Sequence, residues 1–179
     1  MRPPLPAIVA ASGLSSRMGA RKALLDAGGT TFLSRTIGSL REGGASPVLV
    51  VVRDPSAEEG MEALASGGVV IRNPDPSPGS ISSLQAGIRA LPPEAPGVLF
   101  CPVDHPLFLA TTVEALCAEF AAKSSPIVAP TYGGRRGHPV VFSRSLFHEL
   151  LEDDLPEGAR SVIHRYLKNR VEVQVNDPG

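Results

Sequence analysis

Apolar residues along this chain fall into two alternating patterns. Short runs rich in Val, Ile and Leu predict strands over Leu5–Ala11, Pro47–Arg53, Val69–Arg72, Gly97–Val103, Pro126–Pro130, Pro139–Phe142 and Val171–Val175. Between them, apolar positions recur at helical spacing. Leu33, Ile37 and Leu40 lead to Gly43-Gly44, Leu84, Ile88 and Leu91 run from the Ser80–Ser83 cluster to Pro92, and Val113, Leu116, Cys117 and Phe120 mark a third helix. The run Val48–Val52 is apolar at every position, which predicts a strand covered on both faces. The expected fold class is α/β, a three-layer α/β/α arrangement around a mainly parallel mixed sheet. In such folds ligands bind outside the carboxyl ends of the strands, so the loops after the strands are where chemistry is expected.

Composition narrows the options. The chain has 179 residues, 42% hydrophobic and 20% charged, and predicts one domain over residues 1–179. With a net charge of -1, the overall balance argues against nucleic acid or a membrane as partner, so a polyanionic ligand needs a local cluster of cations. The 18 Gly and 18 Pro punctuate the chain as turns and form no linker. Cys101 and Cys117 lie in apolar stretches and read as reduced core thiols. No run approaches the roughly 18 apolar residues of a membrane span, and the start is not a signal peptide. A cytoplasmic location is expected.

The loop after the first strand is the richest segment. From Ala10 to Lys22 it reads Ala-Ala-Ser-Gly-Leu-Ser-Ser-Arg-Met-Gly-Ala-Arg-Lys. Small residues let a ligand approach the backbone, and Gly13 and Gly19 permit turns that a Cβ resists. Successive amides and the hydroxyls of Ser15 and Ser16 can donate to phosphate oxygens. Arg17, Arg21 and Lys22 place three cations within six residues at the end of a strand. Neither a P-loop nor a dinucleotide GxGxxG follows this strand, so the pattern is phosphate binding of another type. Ser15 and Ser16 lack a neighbouring general base and do not read as hydrolase nucleophiles.

The stretch resembles the nucleotidyltransferase superfamily, and most closely the enzymes that attach a nucleotide to the molybdenum cofactor. Gly13, Ser15, Arg17, Met18, Gly19 and Lys22 match that family's loop, while Ala10 and Ser12 depart from it with other small residues. The resemblance implies a Rossmann-like, nucleotide-diphospho-sugar transferase-type fold. It also implies nucleotide binding by Ala11, Ser12, Gly13, Leu14, Ser15, Ser16, Arg17 and Lys22.

Further motifs follow in the family's order. Gly79-Ser80-Ile81-Ser82-Ser83-Leu84-Gln85-Ala86-Gly87, after Asn73, resembles its element beside base and ribose. The implied nucleotide contacts are Asn73, Gly79, Ser83, Leu84 and Gly87; by themselves the serines also fit plain helix capping. Asp104, in Val103-Asp104-His105-Pro106, resembles the family's Mg²⁺-binding aspartate. One carboxylate suffices there, since Mg²⁺ fills most of its shell with phosphate oxygens and water. The Gly137-His138-Pro139 segment and Arg160, in Gly158-Ala159-Arg160, resemble elements beside the acceptor, although His138 alone reads more readily as a structural histidine. His105, His148 and His164 have no metal-ligand spacing, and Glu152-Asp153-Asp154 reads as a solvated turn. Family members continue into an Asp-Ile-Asp-Thr-Pro segment that can give a second metal ligand. Here the chain reads Asn176-Asp177-Pro178-Gly179, and that ligand stays unassigned.

The expected activity is Mg²⁺-dependent transfer of a nucleotidyl group to a phosphorylated small-molecule acceptor, with Arg17, Lys22 and Asp104 as catalytic residues. Ala11-Ser12-Gly13, Ala20-Arg21-Lys22 and Gly-His-Pro resemble the cytosine-using members, which implies CTP and molybdopterin. A molybdoenzyme or chaperone is the implied protein partner. The alternatives are a guanylyl- or sugar-phosphate nucleotidyltransferase on the same scaffold, and a non-catalytic nucleotide-binding module.

Overall fold

The computed structural model describes residues 4–13, 21–123 and 125–179. Its strands are β1 (Ala7–Ala10), β2 (Val48–Val52), β3 (Val69–Arg72), β4 (Gly97–Pro102), β5 (Ile127–Tyr132), β6 (Arg135–Arg136), β7 (Val140–Ser143) and β8 (Arg170–Gln174). Its α-helices are α1 (Phe32–Glu42), α2 (Glu58–Ala65), α3 (Ser80–Arg89), α4 (Ala110–Lys123), α5 (Phe147–Leu150) and α6 (Ala159–Arg165). The strands form one sheet in the order β3-β2-β1-β4-β7-β5-β6, with β8 also paired to β5. β3, β2, β1 and β4 run parallel, β7 is antiparallel to both β4 and β5, and β8 is parallel to β5. The mixed, mainly parallel sheet expected from the sequence is the one observed.

Strand periodicity divides the core in two. Ala7, Val9, Val48, Val50, Leu99 and Cys101 pack with Leu33, Ile37 and Leu40 of α1 and Val113, Leu116 and Phe120 of α4. The alternate residues Ile8, Leu49, Val51, Val98 and Phe100 pack with Ile81, Leu84 and Ile88 of α3. Fully burying one such aliphatic or aromatic side chain is worth about 1.5–3 kcal/mol, which is why these strands are apolar throughout. Gly87 allows α3 to sit close on the sheet, since a Cβ there would stand 2.5 Å from Ile8 Cδ1.

The expected segments overrun the observed strands at their ends, as with Leu5–Ala11 against Ala7–Ala10. α2 was not expected. It buries only Gly60 and Ala63 while Met61 and Leu64 stay exposed, so it lacks a legible apolar stripe. No helix among the described residues is long and apolar enough to cross a membrane.

The topology sets the position of the site. β2 and β3 follow β1 on one side and β4 then lies on its other side, so the strand order reverses beside β1. A crevice opens at the carboxyl end of such a strand.

Candidate functional site

That crevice is a cleft of about 390 Å³ lined by Ala10–Gly13, Lys22, Gly79, Ser80, Ser83 and Asp104, among others. Three loops meet there, and a buried polar cluster holds them together. Ser12 and Ser83 hydroxyls lie 2.6 Å apart. Asn73 Nδ2 donates to Ser82 Oγ at 2.8 Å and stands 3.3 Å from Ser12 Oγ and 3.4 Å from Ser83 Oγ. Asn73 Oδ1 accepts from Asp75 N at 3.2 Å, and Ser82 Oγ donates to Gly79 O at 2.8 Å. Ser12, Asn73 and Ser83 are all buried. Buried polar atoms must be paired, and this cluster pairs them with one another, which pins the loop after β1 to the end of β3 and the start of α3.

Gly79 caps α3 at φ 84, a left-handed conformation that favours glycine. It brings the N-terminus of α3 to the cleft. Leu84 and Gly87 lie further along α3, on the face packed against the sheet. Both are buried there, where they set how closely α3 approaches the sheet.

Lys22 opens a short 3₁₀ turn, Lys22–Leu24. Its Nζ stands 3.3 Å from Asp104 Oδ2 across the cleft. Asp104 is half exposed, and His105 Nε2 lies 3.8 Å from its other oxygen. Lys22 and Asp104, separated by 82 positions, therefore converge as expected. Leu14, Ser15, Ser16, Arg17, Met18 and Gly19 lie outside the described residues. Arg21 lines the same cleft as Lys22. It pairs with Glu59 at 3.1 Å and Glu58 at 3.5 Å, the acidic first turn of the unexpected α2.

Among the described residues, no group of three or more His, Cys, Asp or Glu is arranged to hold a metal ion. The aspartate near the end of the chain is otherwise engaged. Asp177 Oδ2 accepts from Leu109 N at 2.8 Å and Thr112 Oγ1 at 2.5 Å, and its Oδ1 from Gly179 N at 3.0 Å. It caps the start of α4 from a distant part of the chain, and its oxygens are committed there.

Two further openings flank the cleft. One, of about 650 Å³, shares Ala11–Gly13 with it and adds Arg53, Asp54 and Arg72 from the ends of β2 and β3. The Ser56 hydroxyl and amide hold the Asp54 carboxyl below its ordinary range. The other, of about 780 Å³, shares Ser80 and Asp104 and continues past His105, His138 and Arg160. The acceptor-side pair expected from the sequence thus lies together in one cavity that meets the first cleft at Asp104. His138 is mostly buried, and burial lowers its imidazole to about 4, with repulsion from His105 adding to the effect. The two rings lie 4.7 Å apart between centroids. The Cys101 and Cys117 thiols are both raised by burial, Cys117 to about 11, as expected for protonated core thiols.

Sequence reading passed over several of these cavity residues. Arg136 and Arg170 line the third cavity. Their signal was the alternation in Arg170-Val171-Glu172-Val173, with the valines packed on the α1/α4 side and the charged residues facing the opposite way. Arg53, Asp54 and Arg72 carried none beyond following predicted strands.

Comparison with known proteins identifies the architecture. The MobA-like NTP transferase domain matches residues 7–171. A molybdenum cofactor guanylyltransferase of Rhizobium meliloti (strain 1021) is 33% identical over 174 residues, spanning 93% of this chain and 72% of that protein. A molybdenum cofactor cytidylyltransferase of Escherichia coli (strain K12) is 25% identical over 145 residues, 81% of this chain and 73% of the relative. Among solved structures, a nucleotidyl transferase from Methanothermobacter thermautotroptrophicus superposes with a TM-score of 0.80 at 20% identity, covering 97% of this chain and 88% of the other. With its sheet order, its crevice and these relatives in agreement, the chain belongs to the MobA-like NTP transferase domain family and is a nucleotidyltransferase.

Proposed function

We propose that this enzyme, acting as a single domain, transfers a nucleoside monophosphate from a Mg²⁺-bound nucleoside triphosphate to the phosphate of molybdopterin, releasing pyrophosphate. The observation that carries the reading is the Lys22–Asp104 pair, 3.3 Å apart, at the junction of two cavities. In-line transfer needs one site for the triphosphate, a second for the acceptor, and the α-phosphate at their meeting point. The crevice at the end of β1 takes the triphosphate, with loop amides and the α3 N-terminus donating to its oxygens. Lys22, together with Arg17, balances charge on the α-phosphoryl group and the departing pyrophosphate.

Asp104 is the residue that holds the divalent ion. A single half-exposed carboxylate is a poor resident metal cage but suits Mg²⁺, which needs only one or two protein oxygens beside the phosphates. When bound, the ion supplies charge neutralisation and orientation of the phosphates. The acceptor phosphate is already anionic, so this chain's own task is to hold it in line rather than to remove a proton. His138 and Arg160 border the acceptor. The setting is the cytoplasm, where nucleoside triphosphates are at hand, and the product passes to a molybdoenzyme or its chaperone.

CTP is the proposed donor, on the Ala11-Ser12-Gly13 and Gly-His-Pro segments. GTP is the second reading, favoured by the 33% identity to a guanylyltransferase against 25% to a cytidylyltransferase. A thermal-shift series with CTP, GTP, ATP and UTP plus Mg²⁺ separates them, since a ligand at about 100 times its Kd adds about 2.7 kcal/mol of stability. Stabilisation by CTP above the rest supports the first reading and by GTP the second. Pyrophosphate release on adding molybdopterin tests the transfer, and its absence with every triphosphate overturns it.

A further inference from the structure

Among the described residues, the buried side-chain nitrogens without a hydrogen-bond partner are His138 Nδ1 and Arg170 Nε. Both residues line the same cavity, the one assigned above to the acceptor. That coincidence calls for a physical account. Proteins leave few buried polar atoms unmatched, and a lone one costs about 1–3 kcal/mol, more when charged.

Arg170 is the more telling of the two. Its side chain is only 8% exposed, an uncommon condition for a guanidinium. It is held by one carboxylate, Glu172 Oε1, at 2.6 Å from Arg170 Nη2. The same oxygen takes Arg136 Nε at 2.7 Å. One carboxylate therefore fixes two guanidinium groups from different strands, β8 and β6, and neutralises only one of their charges. A guanidinium has five N–H donors, and neither group has all of its donors engaged by Glu172. Around them the cavity wall adds Arg160 as a cation and Asp104 and Glu157 as anions. A rigid, partly neutralised arginine pair is the donor set that a phosphate matches, with several lone pairs in fork geometry.

We propose that Arg170, set beside Arg136 on the shared Glu172 carboxylate, recognises the anionic phosphate of the acceptor and fixes it for transfer. The inference rests on the reading that this cavity takes the acceptor, and it adds the residues that select for a phosphate. Arg136 adds charge at the exposed rim, and Glu172 is a positioning residue that keeps both guanidinium groups in place.

The direct probe is inorganic phosphate, followed by NMR of the Arg170 Nε–H resonance, which is assigned by its disappearance in Arg170→Lys. The resonance shifts saturably as phosphate is added, and the shift weakens in Glu172→Gln. A resonance that stays put throughout the titration overturns the proposal. Steady-state kinetics with molybdopterin give a second readout. Arg170→Met raises the acceptor KM about 10-fold or more, the scale of one charge-assisted hydrogen bond, while the Kd for nucleotide is unchanged. Arg170→Lys restores part of the loss, which a packing defect alone does not predict. An unchanged acceptor KM in Arg170→Met overturns the clamp. A wild-type enzyme that shifts with phosphate but releases no pyrophosphate with molybdopterin leaves the clamp supported and overturns that acceptor.

Discussion

The two clefts that meet at Asp104 are built on opposite principles. On the nucleotide side, Ser12, Asn73, Ser82 and Ser83 satisfy one another's hydrogen bonds. Ser12, at the start of the loop after β1, is thereby tied to β3 and α3. On the other side, among the described residues, His138 Nδ1 and Arg170 Nε are buried with no partner. The first cluster has its polar groups matched within the protein, and the second has bonds left to make. A preorganised site gains affinity because little is left to order on binding. A site with unmatched donors gains discrimination, because a ligand lacking the matching group leaves them unpaired. On the proposed function, the triphosphate is bound mainly by shape and charge and the acceptor by matched polar groups.

The sharpest way to break this contrast is at the junction itself. Asp104→Asn or Lys22→Met is expected to lower turnover at least about 10²-fold, which is about 2.7 kcal/mol at the transition state, with unfolding free energy nearly unchanged. Near-normal kcat in either variant would remove the junction from the chemistry.

Next in size is acid sensitivity on the acceptor side. His138 is lowered from an ordinary 6.5 to about 4 by burial and by His105. Below pH 6.5 the unfolded chain binds a proton that the folded chain refuses until about pH 4. Stability therefore falls as pH drops through that window, and the full span is on the order of 3 kcal/mol. Urea unfolding at several pH values reads this directly. The acid loss should flatten in His138→Asn, and an identical slope in both proteins would show that the histidine is not the source.

Comparable or smaller effects are expected beneath the nucleotide cleft. Gly87→Ala sets a methyl within 2.5 Å of Ile8 Cδ1 and should cost about 1–3 kcal/mol by overpacking. Because α3 carries Gly79 and Ser83, the same variant should weaken nucleotide binding while leaving the phosphate response of Arg170 intact. Loss of both together would mean that the two clefts are one cooperative unit. Smallest of all is the Arg21–Glu59 pair, largely exposed on the Arg21 side. A double-mutant cycle on unfolding should return under about 1 kcal/mol, and a larger coupling would show that the pair anchors α2.

The described part of the cleft after β1 was legible in the chain because its features are local. Small residues, a glycine at a helix start and a lysine at a loop end signal themselves within a few positions, as at Ala11–Gly13, Gly79 and Lys22. Helical geometry sorts neighbours within one motif. Of Ser83, Leu84 and Gly87, Ser83 lines the cleft while Leu84 and Gly87 are buried against the sheet. Arg21 adjoins Lys22 but turns to Glu58 and Glu59, because α2 had no apolar stripe to announce it.

The acceptor cavity depends on pairings that no window of sequence contains. Arg136 and Arg170 meet at Glu172 because β6 and β8 both pair with β5, and Asp177 caps α4 from a distant part of the chain. Strand positions follow from local apolar patterning, so the chain alone was enough to predict a mainly parallel sheet, its two covered faces and the loop after β1 as the place for chemistry. Which charged side chains share a wall depends on long-range strand pairing, and only the assembled sheet brings those distant positions within hydrogen-bonding reach.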